Sequence, residues 1–170
     1  MASAGIHVRA ETPADRGAIC AIQEAAFGRP DEAELVEALR SEGAALLSLL
    51  AEWDGLPAGH VLFSRMWIES SEGRREAVAL APVAVLPERQ RQGIGGELIR
   101  KGLDRLRGAG EGMVLVLGDA EYYSRFGFSS EAARNLASPF PAEHFMAMEL
   151  TPGALTGVSG RVRYARAFGL

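Results

Sequence analysis

An apolar run that ends abruptly in a cluster of glycines sets the tightest limit on what this chain can fold into. Residues 77–86, AVALAPVAVL, carry no polar side chain. An extended segment of that kind needs cover on both faces, so it is a central strand with layers on either side. The chain then turns polar in PERQRQGIGG, where Gly93, Gly95 and Gly96 fall within four positions. A helical pattern follows over about 95–106, with Ile99, Leu103 and Leu106 forming an apolar stripe. A strand feeding a glycine corner feeding a helix is an anion site by construction. The first helical N–H groups have no internal partners, the helix dipole adds roughly 0.3–1 kcal/mol for an anion, and glycines let a phosphate approach the backbone.

The surroundings of the corner narrow the ligand. The chain of 170 residues has a net charge of −4, which disfavours nucleic acid as a partner. Yet between 89 and 107 the basic residues Arg89, Arg91, Arg100, Lys101, Arg105 and Arg107 face only Glu97 and Asp104 as acids. A local basic patch on an acidic protein suits a small anionic ligand, the alternative being a solvated helix face. With 48% hydrophobic and 24% charged residues, the composition is that of a soluble globular protein, expected as one domain over 1–170. Cys20 is the only cysteine, so neither a disulfide framework nor a cysteine metal site is available, and its apolar neighbours AICAI suggest a small core residue. The opening MASAGIHVRAETPADR has no apolar leader segment. The run 77–86 is about half a membrane span. The expectation is a cytoplasmic protein with no membrane contact and no metal.

Periodicity places the other elements. Residues 6–10 alternate as a strand. Thr12 suits a helix cap, with Pro13 and Asp15 in the first turn of a helix reaching about 26, whose inward residues are Ile19, Ile22 and Phe27. Gly28-Arg29-Pro30 breaks it. Asp31 is expected to cap a second helix, with Leu35, Val36 and Leu39 on one face and Gly43 as its stop. Strands follow at 46–53 and 58–69, separated by the turn DGLP, and SSEGRRE turns the chain back into 77–86. After the second half of the chain resumes as a buried strand at 113–118, DAEYYSRFGF reads as one short helix ending at Gly127. Strands at 145–150 and 161–164 belong to a tail beginning at about 131. The whole is α+β, an α/β sandwich with a central mixed, mostly antiparallel sheet and helices on both faces.

Two nucleotide motifs fail at the corner. No Lys-Ser or Lys-Thr follows the glycines, as a P-loop requires, and the Rossmann fingerprint would place a third glycine where Leu98 stands. Gln90 to Gly95, QRQGIG, instead matches the Q/R-x-x-G-x-G/A pattern of the GCN5-related N-acetyltransferases, the GNAT superfamily. LAPVAVLPERQRQGIGGELIRKGL resembles that family's fourth strand, pyrophosphate loop and third helix. YYSRFGF resembles its Y-x-x-x-G-F segment, and LGDAEYYSRFGF is similar to the YhbS-like subgroup of bacterial members. The order of elements agrees.

The resemblance implies a GNAT-like acyl-CoA N-acyltransferase fold and acetyl transfer from acetyl-CoA to an amine. It implies that the backbone of Val83, Ala84 and Val85 pairs with the pantetheine arm. The N–H groups of Arg91, Gln92, Gly93, Ile94, Gly95 and Gly96 then hold the pyrophosphate, with Arg89 and Arg91 adding side-chain contacts. It assigns Tyr123, four residues before Gly127, as the acid that protonates the leaving thiolate. Phenol is protonated at neutral pH, although a tyrosine there also packs against a sheet. The family's asparagine after the fifth strand falls on Val116 here, and Asp119 either replaces its hydrogen bonding or caps the next helix. No general base is assigned among Glu69, Glu76, His60 and His144. The acidic second helix, with Asp31, Glu32, Glu34 and Glu37, suits a cationic acceptor, small molecule or peptide. The closing AFGL suits a sheet edge or a homodimer. Two rivals remain: an acyl-CoA-binding module without catalysis and a dinucleotide-binding oxidoreductase.

Overall fold

The structure, a computed structural model, describes residues 5–170; residues 1–4 of the expected domain lie outside the described residues. Its strands are β1 (Ile6–Ala10), β2 (Ala45–Trp53), β3 (Leu56–Ser70), β4 (Gly73–Val85), β5 (Met113–Leu117), β6 (Leu136–Ala137), β7 (Phe145–Glu149) and β8 (Gly160–Arg163). Its helices are α1 (Arg16–Phe27), α2 (Asp31–Glu42), α3 (Ile94–Gly108) and the single turn α4 (Ala120–Tyr123). Strands pair in the order β1-β2-β3-β4-β5-β7, with β8 on β3 and β6 on β8. The β4–β5 and β6–β8 ladders are parallel, and β1–β2, β3–β8 and β5–β7 are antiparallel. The expected mixed, mostly antiparallel α+β sheet is therefore present.

The chain forms two compact units, residues 5–63 with Ala81–Gly102, and Ser64–Leu80 with Leu103–Leu170. In the first unit, two adjacent residues of β3 show why this strand is buried on both faces. A Cβ on Gly59 would come within 2.9 Å of Ile94 and 3.1 Å of Leu98, both on α3. His60, pointing the opposite way along the pleat, bonds Gln23 of α1. Helices thus cover both faces of β3, and residues 58–64 are buried without a break. Gly102 of α3 is required by the same packing, because a Cβ there would collide with the Phe63 ring. β2 and β3 join through Asp54 and Gly55, both at positive φ (50° and 82°), the geometry of a tight hairpin turn.

The second unit has its own core, which includes Met66, Ile68, Ala79, Leu115, Phe145 and Val162, with Phe140, Tyr164 and Phe168 packed against it. AFGL in part closes on this core, since Phe168 lies 5.1 Å from Tyr164, while Leu170 stays exposed.

Several local expectations are corrected. β4 begins at Gly73, not 77, because Arg74 stacks over Trp67 on β3 at 4.4 Å and carries the hairpin beyond the apolar run. Thr12 starts a 3-10 turn, Pro13–Asp15, ahead of the α-helix. Its N–H and hydroxyl donate to Asp15 Oδ2 at 2.7 and 3.1 Å. Arg9 grips the same carboxylate and holds it well below the usual carboxylate range. Phe27 is exposed, lying at the helix end where Gly28 turns the chain into the left-handed region. Pro30, not Asp31, occupies the cap of α2. DAEYYSRFGF is one helical turn followed by a separate 3-10 turn, Ser124–Phe126. The two-residue β6 had no apolar pattern long enough to announce it.

Candidate active site

The glycine corner lies wholly in the first unit. β4 ends at Val85, Leu86 N–H donates to Ala58 O of β3 (2.9 Å), and Pro87–Arg89 makes a 3-10 turn. The Gln90 amide nitrogen then donates back to Val85 O at 3.0 Å. That bond folds the polar spacer onto the strand end and accounts for a glutamine at the head of the motif. Arg91 (φ 64°) and Gly93 (φ 89°) take left-handed conformations that bend the chain into α3. For Arg91 this carries backbone strain, while Gly93 meets it freely. Gly93 O accepts the first helical bond, from Glu97 N–H (3.0 Å). In consequence the N–H groups of Arg91, Gln92, Gly93, Ile94, Gly95 and Gly96 have no acceptor among the described residues. Arg91, Gln92 and Gly93 are exposed, Gly95 and Gly96 partly so, and Ile94 is buried as the first apolar anchor of α3.

β4 presents a matching feature just before the corner. Its ladder with β5 is limited to Val78↔Val114 and Ala79↔Leu115. Val83, Ala84 and Val85 have no partner in that ladder. Ala84 is buried and Val83 and Val85 are half-buried. Arg89 is drawn aside, its guanidinium stacked over Trp53 at 4.9 Å, whereas Arg91 has no side-chain partner among the described residues.

Tyr123 lies in the second unit, at the end of α4 after β5. Gly118 makes its position possible: a Cβ there would stand 2.5 Å from the Tyr123 ring. The ring packs edge-on to Tyr122 (5.0 Å) and Phe128 (5.9 Å). Burial, with a smaller contribution from Tyr122, pushes its pKa up to about 12. The hydroxyl has no hydrogen-bond partner among the described residues. Asp119 occupies the backbone cap position, with its carbonyl accepting from Tyr123 N–H at 3.0 Å. Its side chain makes no cap bond, so it caps α4 through its backbone alone.

The candidate bases are sorted by their partners. Glu69 pairs with Arg163 at 2.7 Å, Glu76 is well exposed near Arg65, and His144 is exposed. His60 is fully buried with both ring nitrogens engaged, Nδ1 by Gln23 and Nε2 by Ser48, each at 2.8 Å. Burial chiefly lowers its pKa to about 4. It is a neutral core residue. Sequence reasoning missed its partner Gln23, although that residue sits on the inward stripe of α1 with Ile19 and Ile22. No group of three or more His, Cys, Asp or Glu side chains among the described residues is arranged to hold a metal. No described helix is long and apolar enough to cross a membrane.

The model of the Acetyltransferase (GNAT) family matches residues 17–128. The chain belongs to this family. Membership makes it an acyltransferase and removes the oxidoreductase alternative. Among GNAT relatives, Escherichia coli K12 YjhQ, named an uncharacterized N-acetyltransferase, is 38% identical over 89% of this chain and 87% of its own. The crystal structure of E. coli YhbS, a GNAT N-acetyltransferase in complex with CoA, superposes with a TM-score of 0.88 at 35% identity, covering 97% of this chain and 92% of that one. A GNAT acetyltransferase from Brucella melitensis in complex with acetyl-CoA gives a TM-score of 0.81 at 39% identity, covering 97% and 99%.

Proposed function

We propose that this chain transfers the acetyl group of acetyl-CoA directly to a primary amine on a small molecule or peptide, acting in the cytoplasm as one acetyltransferase domain over 1–170, without a metal, nucleic acid or membrane. The observation that carries the reading is the run of unpartnered N–H groups from Arg91 to Gly96, beside a β4 end left outside the β5 ladder. The first suits a pyrophosphate, whose oxygens are acceptors only. The second suits an arm that carries amides and can extend a sheet edge. Two homologous structures with CoA and acetyl-CoA support this donor.

The chemistry asks for a neutral amine, whose nitrogen forms a bond to the acetyl carbon as the carbon–sulfur bond breaks. The departing thiolate takes a proton, and we assign its source to Tyr123. Burial keeps that phenol protonated through the neutral range. It also makes the phenol a weaker acid, but a thiolate losing water is likewise a stronger base. The amine's proton leaves to solvent or to a base that none of the four candidates supplies on present geometry.

Acetyl-CoA turnover on a broad amine panel, with wild type and Tyr123→Phe, tests this. The variant should lose about 10²-fold or more in kcat with acetyl-CoA affinity within two-fold. Turnover on no amine supports the binding-module alternative. An unchanged kcat in Tyr123→Phe removes the assignment of the acid.

A further inference from the structure

We infer that the second unit carries a separate binding site for a small carboxylate bearing an aromatic or branched apolar group. A cavity of about 360 Å³ lies beside β8, its polar lining supplied by Arg161, Arg163, Tyr164 and Ser138. Pro139 and Val162 contribute apolar wall. This volume lies at the lower end of small-molecule sites and suits a ligand of about the size of an aryl acid.

The donors are unevenly committed. Arg163 is balanced by Glu69, to which its Nε donates at 2.7 Å. Arg161, paired through its backbone to Glu69 and Ala137, has no side-chain partner among the described residues. One uncompensated guanidinium matches a monoanion better than a phosphate dianion. Two hydroxyls add to it. Ser138 Oγ accepts from Phe140 N–H at 3.1 Å, which leaves its own proton to donate. The Tyr164 ring is clamped between Phe140 (6.0 Å) and Phe168 (5.1 Å), yet its hydroxyl has no hydrogen-bond partner among the described residues. Tyr164 is half-buried and its hydroxyl is not among the buried unpartnered side-chain atoms, so it reaches the solvent of the cavity and is free to meet a ligand there. Burial holds its pKa at about 12, so it remains a donor.

The cavity is distinct from the tyrosine assigned to the chemistry. β8 pairs with β3 at Trp67–Glu69, next to the hairpin where β4 begins. Tyr123 follows the far end of β5, which runs parallel to β4 and away from that hairpin. Acetyl transfer and this site therefore stand or fall separately.

The test is an NMR titration of the full chain with 3-phenylpropionate, 3-phenylpropionamide, 3-phenylpropylamine and phenyl phosphate. The carboxylate should shift the amides of Ser138, Val162 and Tyr164 and leave those of Arg91 to Gly96 unmoved. The neutral amide should bind about ten-fold more weakly and the amine not at all. Arg161→Ala, an exposed position, should weaken the carboxylate about ten-fold, and Tyr164→Phe, which keeps the ring packing, should weaken it several-fold. Equal affinity for amide and carboxylate, unchanged affinity in Arg161→Ala, or no binding of any anion at about 10 mM overturns the proposal. Preference for phenyl phosphate overturns the carboxylate assignment.

Discussion

Two groups of polar atoms in the first unit follow opposite rules. At the glycine corner, six consecutive N–H groups, Arg91 to Gly96, have no acceptor among the described residues, and all of these residues but Ile94 are exposed or half-buried. Between the helices α1 and α2 and the sheet, a buried to half-buried set of polar residues bonds one to the next. Gln23 donates to His60, whose other nitrogen meets Ser48. Glu11 N–H donates to Ser48 O at 3.0 Å, and Arg40 donates to both Glu11 carboxylate oxygens at 2.9 and 2.8 Å. Apart from Gln23 Oε1 and Arg40 Nε, its side-chain polar atoms have partners. Polar groups that satisfy one another hold a fold together. Polar groups left open at a solvent-facing bend are available to something else. The contrast separates scaffold from site without reference to any relative.

The largest effect expected from this contrast is on the scaffold side. The folded-state pKa of His60 is lowered from 6.5 to about 4. Its contribution is fully present above pH 6.5 and is lost as pH falls toward 4. At about 1.4 kcal/mol per pH unit the loss is about 3 kcal/mol. Denaturant unfolding across that range should show this slope in wild type and not in His60→Gln, with acetyl-CoA affinity retained at pH 7. A His60→Gln protein with an unchanged slope breaks the scaffold half of the comparison. A smaller effect is expected where the two rules meet. Gln90→Ala removes the bond to Val85 O without unfolding the corner. The expected cost is about 1 kcal/mol, read as roughly five-fold weaker acetyl-CoA binding with little change in stability. A stability loss with unchanged affinity would move Gln90 to the scaffold.

The corner was readable in the sequence because each of its parts has a local cause. An apolar run needs two covered faces, a left-handed bend needs Gly93, and a helix start leaves its N–H groups open. Tyr123 was readable only as part of a motif; the space that Gly118 leaves for its ring appears only in three dimensions. The set of polar residues around His60 was not readable, since Gln23 and His60 are 37 positions apart and nothing local joins them. The two-residue β6 and the early start of β4 were missed for the same reason. Ladder partners and an Arg74–Trp67 stack decided them, not periodicity. The cavity beside β8 draws on residues 137–139 and 161–164, a stretch of sequence with no recognisable motif.

The central claim is that the open N–H groups of the corner hold the phosphates of acetyl-CoA. Thermal unfolding of wild type and Gly95→Val with acetyl-CoA at about 100 times its Kd tests it most directly. Valine is tolerated in a first helical turn at least as well as glycine, so the two proteins should melt alike without ligand. Wild type should then rise by about 5–10 °C and Gly95→Val should not rise. No rise in wild type, or an undiminished rise in Gly95→Val, would contradict the account.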